Sequence, residues 1–166
     1  MSNKRLLFDA LAGQTTSRAA WVPFVGAHGG ELLGITAEEY LKSADWIVAG
    51  LERAIELYRP DGLPVIFDVQ VEAEILGCEL KWSKEGPPSV LTHPLEMGLT
   101  LADLPEYSTD NGRFPIIGEA LDRVREKHGD TVALYGLITG PFTLALHLLG
   151  NTIFLEMYDQ PEKVGE

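Results

Sequence analysis

Asp68 stands directly after the apolar run Leu63-Pro-Val-Ile-Phe67, and Glu72 follows four residues later. A carboxylate at the end of a buried strand is partly withdrawn from water, which suits it to act as acid, base or partner for a cationic or N–H group. On a helix, residues four apart share a face, so Asp68 and Glu72 are expected side by side, a pair fit for acid/base work or for a hard cation. Glu74 falls on another face. The plainer alternatives are that Asp68 caps the helix behind it and that Glu72 is one more carboxylate of an acidic chain.

Two histidines and a glycine complete the candidate set. His28 sits in Ala27-His-Gly-Gly30, where glycines would let a ligand approach closely. His147 lies in the apolar run after Gly140-Pro141. Each suits ligand contact or proton shuttling, and each has a structural alternative. Gly140 marks a strand that turns at once into a helix, and the open N–H groups of such a helix start favour an anionic ligand. The alternative there is an ordinary βα unit. Asp68 and His147 are therefore the catalytic candidates, and His28, Glu72 and Gly140 the substrate-binding ones. His93 and His128 read as structural and Cys78 as core. No Cys/His cluster has zinc spacing, so no metal ligand is assigned. No phosphate-loop or dinucleotide fingerprint is present.

These residues need elements to hold them. The pattern predicts a helix over 5–11, capped by Ser2 or Asn3 and stopped by Gly13. A strand over 21–25 and a flexible corner over 26–30 follow. Thr36 and Glu39 have capping-box spacing. Apolar residues at helical spacing predict an amphipathic helix over 45–58. A strand over 63–67 then leads to a helix over 69–77. Cys78, Leu80 and Trp82 alternate with charged residues as a half-buried strand does. Residues 89–112 read as loop. A helix over 115–128 and a strand over 131–137 precede a helix over 142–149, with Pro141 at its first position and Gly150 past its end. Residues 151–158 continue helically, and another helix starts near 159–162. The repeated order strand, helix calls for parallel strands with right-handed crossovers. An eight-unit barrel takes roughly 250 residues. The fold class is thus α/β, either a small open sheet or the front part of a larger barrel.

The 166 residues, 45% hydrophobic, suffice for one domain with a sizeable core. With 13 basic against 25 acidic residues and a net charge of −12, the chain is not expected to bind nucleic acid or an anionic membrane through a broad surface. A single cysteine leaves no internal disulfide, and no segment is long and apolar enough to be a signal peptide or to span a bilayer. A cytoplasmic protein is expected.

The runs Ile66-Phe-Asp-Val69, Val71-Glu-Ala-Glu-Ile-Leu-Gly-Cys78 and Gly136-Leu-Ile-Thr-Gly-Pro-Phe-Thr-Leu-Ala145 resemble the uroporphyrinogen decarboxylase superfamily. That superfamily includes the porphyrinogen decarboxylase and corrinoid-dependent methyltransferases of the methylcobamide:coenzyme M type. The resemblance runs from about Leu6 to Val164. It implies the N-terminal part of a (β/α)8 TIM barrel with an N-terminal helical extension, residues 1–166 being one partial domain without its C-terminal half. Asp68 falls on the decarboxylase's central aspartate, which contacts pyrrole N–H groups. The corner Val25-Gly-Ala-His-Gly-Gly-Glu31 lacks the arginines that bind porphyrinogen carboxylates, and His147 replaces a tyrosine. The second run looks more like the methyltransferase branch. The resemblance therefore implies a piece of a methyltransferase that moves a methyl group between a methylated corrinoid and a thiol or other acceptor. Its partners would be a small-molecule substrate or a corrinoid protein. The resemblance also implies zinc, held by a His-x-Cys pair and a later Cys outside this chain, and a corrinoid, for the complete parent enzyme; no cofactor is expected in this piece. The alternatives are a carboxy-lyase of porphyrin biosynthesis and a non-catalytic module that forms homo-oligomers through uncovered apolar surface.

Overall fold

The computed structural model describes residues 3–164. In chain order the first elements are α1 Asn3–Leu11, α2 His28–Leu33, α3 Ala37–Leu41, α4 Ala44–Tyr58, β1 Gly62–Pro64 and α5 Val71–Ile75. Then come β2 Leu80–Lys81, β3 Ser89–Val90, α6 Phe114–His128, β4 Ala133–Tyr135, α7 Pro141–Leu149, α8 Ile153–Asp159 and α9 Pro161–Val164. They belong to two compact units. The first takes Met1–Asp68, Ser83–Pro87 and Arg113–Leu137; the second takes Val69–Trp82, Pro88–Gly112 and Ile138–Glu166.

In the first unit β1 and β4 run parallel, with Gly62 opposite Ala133 and Pro64 opposite Tyr135. The helices that precede them, α4 and α6, pack on one another. Arg123 of α6 meets Asp45 near the start of α4 at 2.7 Å, and Lys127 meets Glu52 further along at 2.8 Å. The two helices therefore run the same way, as helices feeding successive parallel strands must. The amphipathic reading of α4 holds: Ile47, Leu51 and Ala54 are buried, and Ser43 caps the helix start. The Thr36/Glu39 capping box forms at α3. Asn3 opens α1 rather than capping it, and its amide donates to the carbonyls of Arg59 and Pro60. The alternative cap, Ser2, lies outside the described residues.

Two expected elements of this unit take other forms. Residues 21–25 make no ladder. Pro23 lacks an N–H, and Trp21 is held instead by Asp61, whose N–H donates to the Trp21 carbonyl while its carboxylate accepts from the Trp21 N–H at 2.8 Å. The expected flexible corner at 26–30 is largely helix α2. Gly29 and Gly30 are buried against Tyr40, so these glycines serve close packing of a ring rather than the approach of a ligand.

Asp61 is itself fixed by Arg18, with two N–H···O contacts of 2.5 and 2.7 Å. The Arg18 guanidinium, helped by the Trp21 N–H, holds this carboxyl below the usual aspartate range despite its burial. A group whose folded value is depressed contributes stability that is present above its unfolded value and lost as pH falls through the folded one. Acidification from pH 6 to pH 3 is therefore expected to lower the urea midpoint more in the natural protein than in Asp61→Asn. Equal slopes for the two would remove Asp61 from the acid response.

In the second unit β2 and β3 form a two-residue antiparallel ribbon. Buried Ala73, Cys78 and Leu148 centre a core that also takes in Leu76, Leu95 and Leu144. The helix expected over 69–77 is only α5, because residues 69 and 70 form a turn before it. α7 begins at Pro141 and Gly150 follows with φ 64°, as the sequence pattern predicts. A cavity of about 620 Å³ lies among Leu95, Leu99, Leu101, Ala145, Leu148 and Glu156. Among the described residues no helix is long and apolar enough to cross a membrane.

Candidate functional site

In the first unit the chain leaves β1 through Val65, Ile66 and Phe67 and reaches Asp68. Asp68 does not cap the next helix, whose cap position is Gln70. It accepts instead from Arg113 Nη1 at 2.7 Å, and the pair is withdrawn from water, with side-chain exposures of 0% for Asp68 and 5% for Arg113. Arg113 occupies the residue before α6 and is placed there by the turn that starts this helix. Phe67, next to Asp68, stacks on Phe24 with ring centroids 4.8 Å apart and planes at 20°. Both rings are also open to solvent. Gly26, with φ 50°, lies against Phe67. The exposed, flat apolar face is suited to a planar ligand, and the residue that follows Phe67 in the chain is the buried, charge-compensated Asp68.

His28 stands elsewhere in this unit. Its Nδ1 lies 2.8 Å from Glu31 Oε2 and its Nε2 lies 2.8 Å from Tyr58 Oη. Both ring nitrogens are therefore engaged.

In the second unit Glu72 is buried and accepts from the Thr139 N–H at 3.1 Å, and its Oε2 lies 2.7 Å from the Thr139 hydroxyl. That hydroxyl is also 2.7 Å from the Val69 carbonyl. Glu72 thereby ties the turn before α5 to the corner that starts α7. Gly140 is the cap residue of α7, extended at φ −66° and ψ 152°, with open space where a side chain would be. The structure brings Glu72 and Gly140 to one corner. His147 belongs to the other end of α7, about 10 Å along the axis at 1.5 Å per residue. Its carbonyl accepts from His93 Nδ1 at 2.8 Å and from Cys78 Sγ at 3.4 Å, which satisfies one of the helix's terminal carbonyls.

The i, i+4 pairing expected of Asp68 and Glu72 does not apply. Asp68 precedes α5 by three residues, and the partners that hold the two carboxylates differ: Arg113 for one, Thr139 for the other. Sequence reasoning missed Arg113 altogether. Its only signal was an arginine directly ahead of a helix with proline in its first turn. Thr139 was visible only as part of a chain break.

Among the described residues no group of three or more His, Cys, Asp or Glu is placed to hold a metal ion. Burial pushes the Cys78 thiol up to about 11, the reverse of what a thiolate ligand or nucleophile requires.

The family model of uroporphyrinogen decarboxylase (URO-D) matches residues 1–166. A methylated-thiol–coenzyme M methyltransferase of Methanosarcina mazei is 34% identical over 110 residues, which are 66% of this chain and 27% of that protein. A methylcobamide:CoM methyltransferase of Methanosarcina acetivorans is 33% identical over 105 residues, 63% of this chain and 31% of that protein. A uroporphyrinogen decarboxylase of Prochlorococcus marinus is 26% identical over 94 residues, 57% of this chain and 26% of that protein. The matched stretches thus span less than a third of these relatives' length. A solved methyltransferase from Methanosarcina mazei superposes with a TM-score of 0.80 at 24% identity, covering 99% of this chain and 50% of the other. That likeness bears out the expected fold class, α/β and the N-terminal part of a (β/α)8 barrel. With its whole length matched, the chain belongs to the uroporphyrinogen decarboxylase (URO-D) family.

Proposed function

We propose that this chain is part of a methyltransferase that moves a methyl group between a methylated corrinoid, as donor substrate, and a thiol acceptor. The observation that carries the reading is the open Phe24–Phe67 stack, followed directly in the chain by Asp68, which Arg113 holds. A flat apolar face next to a fixed carboxylate suits a planar macrocycle that bears hydrogen-bond donors at its edge. The identities of 34% and 33% to methyltransferases, against 26% to a decarboxylase, favour this branch. So does the run from Val25 to Glu31, which contains no arginine to meet the carboxylate arms of a porphyrinogen.

In this reading Asp68, held by Arg113, supplies a fixed negative charge behind the corner after β1, toward which an edge N–H of the substrate turns. Glu72 and Thr139 hold the corner at Gly140, so that the first-turn N–H groups of α7 can receive an anionic group. His147 stays a proton-transfer candidate of α7. His28 is left out, because Glu31 and Tyr58 occupy both its nitrogens. The parent would be a cytoplasmic protein that meets its corrinoid on a partner protein.

The test supplies the purified gene product with methylcobalamin and coenzyme M and follows the methylated thiol. Product formation is expected, slowed about tenfold or more in Asp68→Asn, for one lost charge-assisted hydrogen bond of roughly 1.5–3 kcal/mol. CO2 released from uroporphyrinogen by the same protein, with no thiol methylation, would establish the decarboxylase instead.

A further inference from the structure

Glu31, His28 and Tyr58 form a linear chain of two hydrogen bonds, each 2.8 Å long. A carboxylate only accepts, so His28 Nδ1–H donates to Glu31. The Nε2 of the neutral ring is then an acceptor, and the Tyr58 hydroxyl donates to it. Carboxylate, imidazole, hydroxyl is the order that activates a hydroxyl nucleophile on several unrelated folds.

The geometry is built in. His28 and Glu31 lie one turn apart on α2, Tyr58 ends α4, and the two helices pack together. The imidazole and phenol planes are 25° apart with centroids at 6.0 Å. Trp21 meets the Tyr58 ring edge-on at 6.3 Å. The side chains of His28 and Glu31 are 45% and 62% exposed, so a dissolved reagent reaches the group.

We propose that Tyr58 is an acyl-accepting nucleophile, activated by His28 and Glu31, whose substrates are activated carboxylic esters. The Tyr58 oxygen attacks the ester carbonyl carbon while its proton passes to His28 Nε2. Glu31 holds the resulting imidazolium. The bond from the carbonyl carbon to the leaving oxygen then breaks, and its electron pair leaves with that oxygen. His28 gives that proton to the departing oxygen. The products are an acyl ester of Tyr58 and one molecule of alcohol or phenol, with no change of oxidation state.

The protein carries its own controls. Tyr107 and Tyr158 are 48% and 89% exposed, whereas Tyr58 is half-buried. Treatment with p-nitrophenyl acetate, followed by peptide mapping in a mass spectrometer, ranks the three. Tyr58 is expected to acetylate first, faster than Tyr158 by about 10²-fold, the lower range for a positioned general base. His28→Gln should bring Tyr58 down to the rate of an ordinary tyrosine and leave Tyr107 and Tyr158 unchanged, with buried Tyr40 of the same unit still unlabelled as the report of an intact fold. Glu31→Ala should give a smaller loss at Tyr58 alone. Labelling that follows exposure, with Tyr158 first, or a Tyr58 rate indifferent to His28→Gln, overturns the proposal. Acetyl found on His28 in place of Tyr58 overturns the assignment of the nucleophile.

Discussion

Arg113→Met is expected to destabilise the protein by about 3–5 kcal/mol, because it leaves the Asp68 carboxylate buried without the cation that compensates it. The contact is 2.7 Å long and both side chains are almost wholly out of water. The reason for the size is the desolvation already invested in both ions. Removing one partner strands the other, whereas removing both restores much of the loss. The double variant Arg113→Met, Asp68→Leu should therefore unfold at a higher urea concentration than Arg113→Met alone. Strictly additive losses would show that the two residues do not act as a pair. The same reasoning decides how Asp68 is probed for function. Asp68→Ala would strand Arg113, so a loss of activity in that variant would not separate folding from chemistry. Asp68→Asn keeps the volume and an acceptor oxygen, and it is the better variant.

The second large effect is at Gly50. Alanine is normally favoured over glycine inside a helix by about 1 kcal/mol. Here the sign is expected to reverse, with Gly50→Ala destabilising by about 1–3 kcal/mol, the cost of overpacking a filled core. A Cβ on Gly50 would stand 2.5 Å from Tyr40 Cε2 and 2.9 Å from the Gly29 carbonyl oxygen. Tyr40 is 2% exposed, and the Gly29 contact is backbone, so neither can step aside cheaply. Gly118 of α6 is the control. Nothing lies within 4 Å of a Cβ there, so Gly118→Ala should stabilise. Urea unfolding of the two variants under one set of conditions gives the comparison. Stabilisation by both would mean that Tyr40 and α2 move aside at little cost.

Tyr40 also explains what the sequence conceals. Two adjacent glycines after a histidine suggest a loop, since glycine is a poor helix former. They lie in α2 because only a residue without a side chain fits against that ring, and tertiary packing overrides propensity. The strand expected at 21–25 fails for a related reason: the carboxylate of Asp61, forty residues on, takes up the Trp21 N–H that a neighbouring strand would have bonded. By contrast α4, α6 and α7 were legible because their signals are local: apolar spacing, a capping serine at 43, Pro141 and Gly150. The candidate site divides in the same way. Asp68 could be found because it follows an apolar run. Arg113, 45 residues away, and Thr139, 67 residues from Glu72, could not be, because nothing in local pattern records which distant side chain will meet a buried carboxylate.

The two compact units are interleaved along the chain, and this governs the order in which they can form. The first needs residues 113–137 to supply β4 beside β1, and the second needs residues from 138 onward to supply α7. A ribosome delivers roughly 5–20 residues per second. For several seconds, therefore, the growing polypeptide holds β1 without its neighbour and Glu72 without Thr139. Early local folding can yield helices such as α4, but each unit closes only when a segment made much later returns to it. The loop-closure entropy of those distant meetings makes them late events.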